Sequence, residues 1–207
     1  MLTYNDETHE YTLDGKRIPS VTEVVSLITA GKYSDTNAAM MEQAKRRGTA
    51  VHELCEMIDC GVDPEELEIE PELVGYVNAY LAFLRDWRPR WDHIEKPVYT
   101  GEYAGRADRI GTIFGKIAVV DIKTTSSMDR LSKLALLFQL HAYAKAAAIT
   151  PGVGKLPGEL LGVQLKKDGS YTAHDAQKIA AKYLPGANID FLWSSMLNIT
   201  KMIGGYQ

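Results

Sequence analysis

The spacing of apolar and polar residues along the chain predicts a mixed α/β protein. Apolar residues recur three and four positions apart between residues 72 and 87 and between residues 130 and 149, as in helices that bury one face. The β-branched run at residues 117–120 is instead typical of a short buried strand. We therefore expect a mixed central β-sheet flanked by α-helices on both faces. The sheet is predicted from the segments near 94–100, 104–113, 117–123 and 160–173.

Turn and cap signals predict where the outer elements begin and end. Asp14-Gly15 predicts a hairpin between residues 10–13 and 16–18. Ser20 followed by Glu23 is the capping-box pattern that begins a helix. The remaining predicted elements are one long helix or two abutting helices over 36–60, a hairpin turning at 167–170, and helices over 175–184 and 189–203.

These segments fit a single domain over residues 1–207. With 45% hydrophobic and 24% charged residues, the chain has the composition of an ordinary globular domain with a sizeable core. The predicted parts are an N-terminal hairpin and helix (1–35), a helical part (36–92), a core that carries the candidate site (93–174) and C-terminal helices (175–207).

Asp108, Asp121 and Lys123 are the most informative polar residues. Asp121 follows the apolar run of a predicted strand, and because side chains alternate along a strand, it shares a face with Lys123. Ile122 then points into the core. By itself, a carboxylate beside an ammonium at a strand end is usually a surface salt bridge worth about 0–1 kcal/mol. Asp121 and Lys123 therefore indicate a functional site only together with the other candidate residues of the chain.

The pairing of the two strands decides whether the aspartates meet. A two-residue turn at Phe114-Gly115 would place Asp108 opposite Asp121 and Arg106 opposite Lys123. Like charges across a ladder repel, so the chain either tolerates that cost in solvent or holds a cation between the carboxylates. Phenylalanine is an unusual first residue for such a turn, and a bulge would shift the pairing by one residue.

Several motifs, in order along the chain, resemble the PD-(D/E)XK nuclease superfamily, and within it the RecB-type and phage exonuclease branch. They are RRGTAVHELCE at 46–56, GRADRIG at 105–111, VVDIKT at 119–124 and FQLHAY at 138–143. The opening YTLDGKRIPSVTEVVSLI, at 11–28, is similar to the start of many phage members. The resemblance implies a restriction-endonuclease-like core.

The resemblance also implies a site for a divalent metal ion. Oxygen ligands suit Mg²⁺ or Mn²⁺, and a histidine ligand leaves room for a Mn²⁺ preference. A lone histidine on a helix is usually packed or solvated, but His52 lies upstream of the two acids Asp108 and Asp121 in the sequence. Glu95 and Glu56 are weaker candidates, for which solvent exposure is the alternative. The expected catalytic residues are Asp108, Asp121 and Lys123, and the expected metal ligands are His52, Asp108, Asp121 and the carbonyl of Ile122.

Gln139 and Tyr143 lie four residues apart on one predicted helix and therefore share a face. The resemblance implies that this pair contacts DNA, with Arg106 and Arg47 as further contacts, although a helical tyrosine is more often part of a core. The net charge of −4 argues against a nucleic-acid partner, but a few local cations suffice for phosphate contacts. Candidate cations are Lys45-Arg46-Arg47, Arg85, Arg88, Arg90, Arg106, Arg109 and Lys166-Lys167.

The sequence also limits cofactors and compartment. Cys55 and Cys60 are the only cysteines, so the ligands of an iron-sulfur cluster are lacking. No apolar run approaches the ~20 residues that cross a bilayer, and the N-terminus lacks the order of a secretory signal. We expect a cytoplasmic protein without membrane association. The resemblance implies a phage or prophage protein in a bacterial host, with a recombinase or single-strand DNA-binding protein as a candidate partner.

These expectations together predict a metal-dependent DNA exonuclease of recombination, repair or DNA processing. Two alternatives stay open. One is a catalytically inactive DNA-binding or scaffold protein with the same fold, which the intact Asp108, Asp121 and Lys123 disfavour. The other is a metal hydrolase acting on small phosphoesters, which the basic residues and the pair Gln139 and Tyr143 disfavour.

Overall fold

Eight strands and six α-helices form in residues 1–5, 8, 10–31 and 38–206, the part of the chain that this computed structural model describes. The strands are β1 (Leu2–Asn5), β2 (Glu10–Leu13), β3 (Lys16–Ile18), β4 (Arg90–Tyr99), β5 (Ala104–Ile113), β6 (Lys116–Thr124), β7 (Glu159–Leu165) and β8 (Tyr171–Asp175). The helices are α1 (Val21–Thr29), α2 (Ala38–Asp59), α3 (Val74–Trp87), α4 (Arg130–Ile149), α5 (Ala176–Tyr183) and α6 (Ile189–Gly204), with a 3-10 turn at Pro64–Glu66. The predicted start of the second helix, at 36 and 37, lies outside the described residues.

A five-stranded mixed sheet forms the centre of the fold. Its strand order is β4-β5-β6-β7-β8, and each strand follows its neighbour along the chain. Strands β6 and β7 are parallel and are joined by α4, whereas the other neighbours are antiparallel. A crossover helix is the usual connection between parallel strands. The mixed sheet flanked by helices confirms the predicted α/β class and is consistent with a restriction-endonuclease-like core.

The β5–β6 hairpin has the register that a two-residue turn predicts. Phe114 and Gly115 form the turn with φ angles of 49° and 79°, the left-handed backbone that matches the twist of tight hairpins. The ladder runs from the turn to the pair of Arg109 with Val120, without a bulge. The unusual phenylalanine is therefore accommodated, and the pairing is not shifted.

The two aspartates lie directly beyond the last pair of this hairpin. Instead of a further ladder bond, the backbone amide of Ile122 donates to the Oδ2 atom of Asp108 at 2.7 Å. The carboxylate of Asp108 thus ties the two strands together where their backbones separate. The predicted opposition of Asp108 and Asp121 places both at the open end of the hairpin.

Helices cover both faces of the sheet and enclose two hydrophobic cores. One core packs α1, α4, α5 and α6 against the face that carries Val119, and the other packs α2 and α3 against the face that carries Val120. Because both faces of β6 are covered, its sequence is apolar at successive positions rather than alternating. No helix in the described ranges is both long and apolar enough to cross a bilayer.

A small three-stranded sheet, β1-β2-β3, precedes α1. The hairpin of β2 and β3 was predicted, but β1 was not. The capping box is confirmed, since the Glu23 amide donates to Ser20 Oγ at 3.0 Å and the Ser20 amide donates to Glu23 Oε2 at 2.7 Å. The amide of Ala104 donates to the carbonyl of Pro19 at 3.1 Å, which attaches this N-terminal region to the start of β5.

Candidate active site

A cleft opens where β5 and β6 separate. One part has a volume of about 600 Å³ and lies between these strands, α4, α1 and the small sheet. A second part of about 650 Å³ extends along α2. The two parts adjoin, because Lys45, Glu95, Arg106 and Lys123 line both. The first part is also lined by Asp108, Asp121, Gln139 and Tyr143, and the second by His52 and Glu56.

Asp108 lies at the base of the cleft. It is 7% exposed, and besides the bond from the Ile122 amide it faces the carboxylate of Asp121. Burial and the charge of Asp121 raise the pKa of Asp108 to about 6, while His52 and Lys123 act in the opposite direction. The site thus holds two acids that repel one another in the absence of a cation.

His52 approaches the aspartates from α2. Its Nδ1 atom is 3.7 Å from Asp108 Oδ2 and 3.8 Å from Glu95 Oε1, and its Nε2 atom is 3.0 Å from the carbonyl oxygen of Ile122. Burial lowers the pKa of His52, but the carboxylates outweigh it and raise the pKa to about 9. The ligand atoms of His52, Glu95 and Asp108 lie within 4.8 Å of one another, a spacing suitable for a metal ion.

Asp121 and Lys123 share one face of β6, as the strand alternation predicts. The Nζ atom of Lys123 is 2.8 Å from Asp121 Oδ2. Burial lowers the pKa of Lys123, but Asp121 and Asp108 outweigh it and raise the pKa above its usual value. The ammonium therefore stays protonated at neutral pH.

The carboxylate of Asp121 fits a bound cation. Its side chain is 1% exposed, its Oδ2 atom lies 2.8 Å from the Lys123 ammonium, and within the described residues its Oδ1 atom accepts no hydrogen bond. A buried carboxylate oxygen that accepts nothing is costly, so the Oδ1 atom of Asp121 is available to a bound cation. Together with the cluster of His52, Glu95 and Asp108, this donor set of oxygens and one imidazole suits Mg²⁺ or Mn²⁺.

Gln139 and Tyr143 share a face of α4, as predicted, and lie behind Lys123. Lys123 Nζ donates to Gln139 Oε1 at 3.1 Å, and Gln139 Nε2 donates to Tyr143 Oη at 3.1 Å. Tyr143 is only 4% exposed. A Cβ atom on Gly105 would lie 2.6 Å from its ring, so glycine is needed there for α4 to approach β5. In the structure the pair orients the lysine, and its contact with DNA stays a prediction.

The predicted basic contacts have different surroundings. Arg106 is half exposed in the cleft, with its Nε atom 3.7 Å from Glu95 Oε2. Arg47 instead places its guanidinium over the ring of Tyr76, 5.8 Å from the ring centre, and among the described residues it lines neither part of the cleft. The expectation that Arg109 is a surface cation near phosphate was wrong, because its side chain is fully buried.

Sequence reasoning missed Asp59, the partner of Arg109. Asp59 Oδ2 accepts a bond from Arg109 Nε at 2.5 Å, and its side chain is 2% exposed. One signal was available, since His52, Cys55 and Asp59 follow a helical spacing of three and four residues and therefore share a face. A buried arginine, however, is not visible in a single sequence.

The sequence of this chain matches one protein-family model over most of its length. Residues 30–190 match the family model of the PD-(D/E)XK nuclease superfamily. The chain belongs to this superfamily. Asp121-Ile122-Lys123 has the (D/E)XK order of the superfamily name, and Ala107 stands before Asp108 where that name has proline. PD-(D/E)XK nucleases use divalent metals, so the family and the cluster of His52, Glu95 and Asp108 together support a metal-dependent nuclease.

Other comparisons add little to this assignment. No curated protein matches the chain. Among solved structures, one similar chain is described as the crystal structure of SSO0001, with 15% sequence identity and a TM-score of 0.41. The match covers 89% of this chain and 75% of that one. The PD-(D/E)XK assignment therefore rests on the family model and not on this likeness.

Proposed function

We propose that this PD-(D/E)XK protein is a Mg²⁺- or Mn²⁺-dependent deoxyribonuclease of the RecB-type and phage exonuclease branch. The observation that supports this proposal most is the buried carboxylate of Asp121, which faces the carboxylate of Asp108 and pairs with Lys123 through only one of its two oxygens. This arrangement combines a place for a cation with a fixed ammonium beside it. The order of the branch motifs along the chain supports the finer assignment.

Five groups would hold the cation. They are His52, the carboxylates of Asp108 and Asp121, the carbonyl of Ile122 and, as a further oxygen donor, Glu95. A divalent cation bound there would lower the pKa of a coordinated water and neutralise charge on the phosphate. His52 would supply a neutral ring nitrogen, so binding requires loss of the proton that the carboxylates otherwise hold on it.

Lys123 would serve as a fixed positive charge rather than as a base. Its raised pKa keeps it protonated, and Gln139 and Asp121 hold its ammonium at 3.1 Å and 2.8 Å. From that position it can orient the attacking water and stabilise negative charge on the phosphate in the transition state. Gln139 reduces the freedom of the lysine, and Tyr143 in turn fixes the amide of Gln139.

DNA would lie along the cleft between the small sheet and α2. Arg106 and Lys45 line both parts of the cleft and supply positive charge along it. Two parts of about 600 Å³ and 650 Å³ suit a polymer better than a small phosphoester. We propose an exonuclease of phage or prophage origin that works with a recombinase or single-strand DNA-binding protein.

Digestion of end-labelled linear DNA and closed circular DNA tests this proposal. The wild type is compared with Asp121→Ala and with Asp168→Asn, a control in the exposed turn before β8, each with Mg²⁺, Mn²⁺ or EDTA. We expect metal-dependent loss of linear DNA only, retained in Asp168→Asn and absent in Asp121→Ala. Cutting of circles would contradict the exonuclease assignment. DNA binding without cleavage under any metal would favour the non-catalytic alternative.

A further inference from the structure

A buried polar network joins the end of α2 to the metal-binding cluster. At its centre Asp59 accepts hydrogen bonds from Tyr80 Oη at 2.5 Å, Trp91 Nε1 at 3.1 Å and Arg109 Nε at 2.5 Å. Three donors satisfy a carboxylate whose side chain is 2% exposed. Asp59 does not line the cleft formed by the described residues, so it contacts neither the substrate nor the cation directly.

Arg109 carries this network to the cluster. Its side chain is fully buried, and its Nη1 atom donates to Glu95 Oε1 at 3.1 Å and to the backbone carbonyl of Asp108 at 2.7 Å. One guanidinium therefore contacts the carboxylate of one candidate ligand and the backbone of another. The planar fork of arginine is suited to such simultaneous contacts, whereas lysine offers a single ammonium.

The backbone of Glu95 has an unfavourable conformation, which contacts of its side chain such as the bond from Arg109 help to maintain. It lies opposite Asp108, between the pairs of Ile94 with Arg109 and Lys96 with Ala107. Its φ angle is +45°, in the left-handed region that residues other than glycine seldom adopt. Such a conformation is unfavourable for glutamate and persists only where the surroundings impose it. Among the described residues, the contact with Arg109 at 3.1 Å is the shortest charged contact of the Glu95 side chain, since His52 and Arg106 lie at 3.8 Å and 3.7 Å.

We infer that Asp59 and Arg109 are positioning residues that hold Glu95 as a ligand of the divalent cation. The inference rests on the metal site proposed above and adds the residues that set the strength of one of its ligands. Asp59 has two effects in this arrangement. It fixes the guanidinium in space, and its negative charge offsets the positive charge that Arg109 would otherwise direct at Glu95.

Neutralising Asp59 therefore weakens metal binding without removing a ligand. In Asp59→Asn the side chain keeps its size and an oxygen that can accept from Tyr80 or Trp91. Glu95 is then the only carboxylate that pairs with the guanidinium of Arg109 among the described residues, and this stronger pairing makes Glu95 a weaker ligand for the cation. Changes to groups that support metal ligands typically reduce metal affinity about 10- to 100-fold, so we expect a rise of about tenfold in the Kd for Mn²⁺.

A double-mutant cycle tests the inference on the full chain. Binding of Mn²⁺, without DNA, is measured by calorimetry for the wild type, Asp59→Asn, Glu95→Gln and the double variant. If Asp59 acts through Glu95, Asp59→Asn raises the Kd about tenfold in the wild type and by less than twofold when Glu95 is already glutamine. Asp86→Asn, an exposed acid bonded to Tyr171, is the matched control and leaves the Kd unchanged. Circular dichroism melting confirms that each variant is folded.

The outcomes separate this inference from the proposed function. An equal loss of affinity from Asp59→Asn in both backgrounds would show a purely structural role and overturn the inference, while Mn²⁺ binding by the wild type would leave the metal site standing. A wild type that binds no Mn²⁺, or an Asp108→Ala variant that binds it normally, would overturn the metal site and the inference together. If Asp59→Asn does not fold, Arg109→Lys replaces it in the same cycle, with the same expected coupling to Glu95.

Discussion

The Nε2 atom of His52 lies 3.0 Å from the carbonyl oxygen of Ile122, although 70 residues separate them in the chain. This contact places the middle of α2 over the open end of the β5–β6 hairpin. It brings an imidazole to a backbone carbonyl whose neighbours, Asp121 and Lys123, point into the cleft. The contact joins α2 to the end of β6 and places an imidazole among the oxygen ligands of the site.

Lys123→Ala should abolish cleavage and leave DNA binding largely intact. Loss of one fixed charge that stabilises a transition state costs about 10²–10³-fold in kcat, whereas the DNA contacts of the cleft remain. Single-turnover cleavage with Mn²⁺ and DNA binding in EDTA measure the two effects. Lys116→Ala, which removes an exposed lysine paired with Glu159, is the control. Undiminished turnover in Lys123→Ala would remove this lysine from the mechanism.

Gln139→Ala should lower kcat with little change in KM for DNA. The variant removes the oxygen that accepts from Lys123, and a hydrogen bond to a charged group is worth about 1.5–3 kcal/mol, or tenfold and more in rate. Tyr143→Phe removes only the hydroxyl behind the amide and should have a smaller effect. A raised KM with unchanged kcat in Gln139→Ala would instead indicate that this residue contacts DNA, as the sequence resemblance implies.

Gly105→Ala should destabilise the fold and disturb the site together. The new Cβ atom would lie 2.6 Å from the Tyr143 ring and 3.2 Å from Val21, so α1 and α4 must move away from β5. Overpacking of this kind costs about 1–3 kcal/mol. Gly101→Ala, where no atom lies within 4 Å of the new Cβ, should melt at the wild-type temperature. Equal Tm values for the two variants would contradict the close packing of α4 on β5.

The metal-free protein should lose stability as pH rises from about 6.5 to about 9. The pKa of His52 is raised from 6.5 to about 9, so the folded state holds a proton that the unfolded state releases first. The resulting stabilisation, at most about 3 kcal/mol, is complete below pH 6.5 and lost above pH 9. Urea unfolding in EDTA at several pH values measures it, and His52→Asn should remove this part of the pH dependence. A wild-type profile that matches His52→Asn would be contrary to the charge balance described here.

Much of the core could be predicted from the sequence because its signals are local. The register of β5 and β6 follows from a two-residue turn at Phe114-Gly115, and the alternation of β6 places Asp121 and Lys123 on one face. Both features depend only on residues that are near one another in the sequence. The family motifs then pointed to His52, which no local signal would connect to the strand ends.

The remaining features depend on contacts between distant segments. The short strand β1 is stabilised by pairing with β2, not by its own four residues. The burial of Arg109 requires Asp59 from α2 and Glu95 from β4, and a single sequence does not show that three charges share one interior. The left-handed backbone of Glu95 likewise results from its surroundings, since glutamate has no preference for it.

The rate of Mn²⁺-dependent DNA hydrolysis by wild type and Asp121→Asn, measured side by side, tests the central claim most directly. Asparagine keeps the shape of the buried side chain but not its charge, so folding is preserved while the cation loses a negatively charged ligand. We expect the wild type to release acid-soluble nucleotide, EDTA to abolish this release, and Asp121→Asn to release it at least about 100-fold more slowly. Equal rates in the two proteins, or release that persists in EDTA, would contradict a metal-dependent nuclease centre at this cleft.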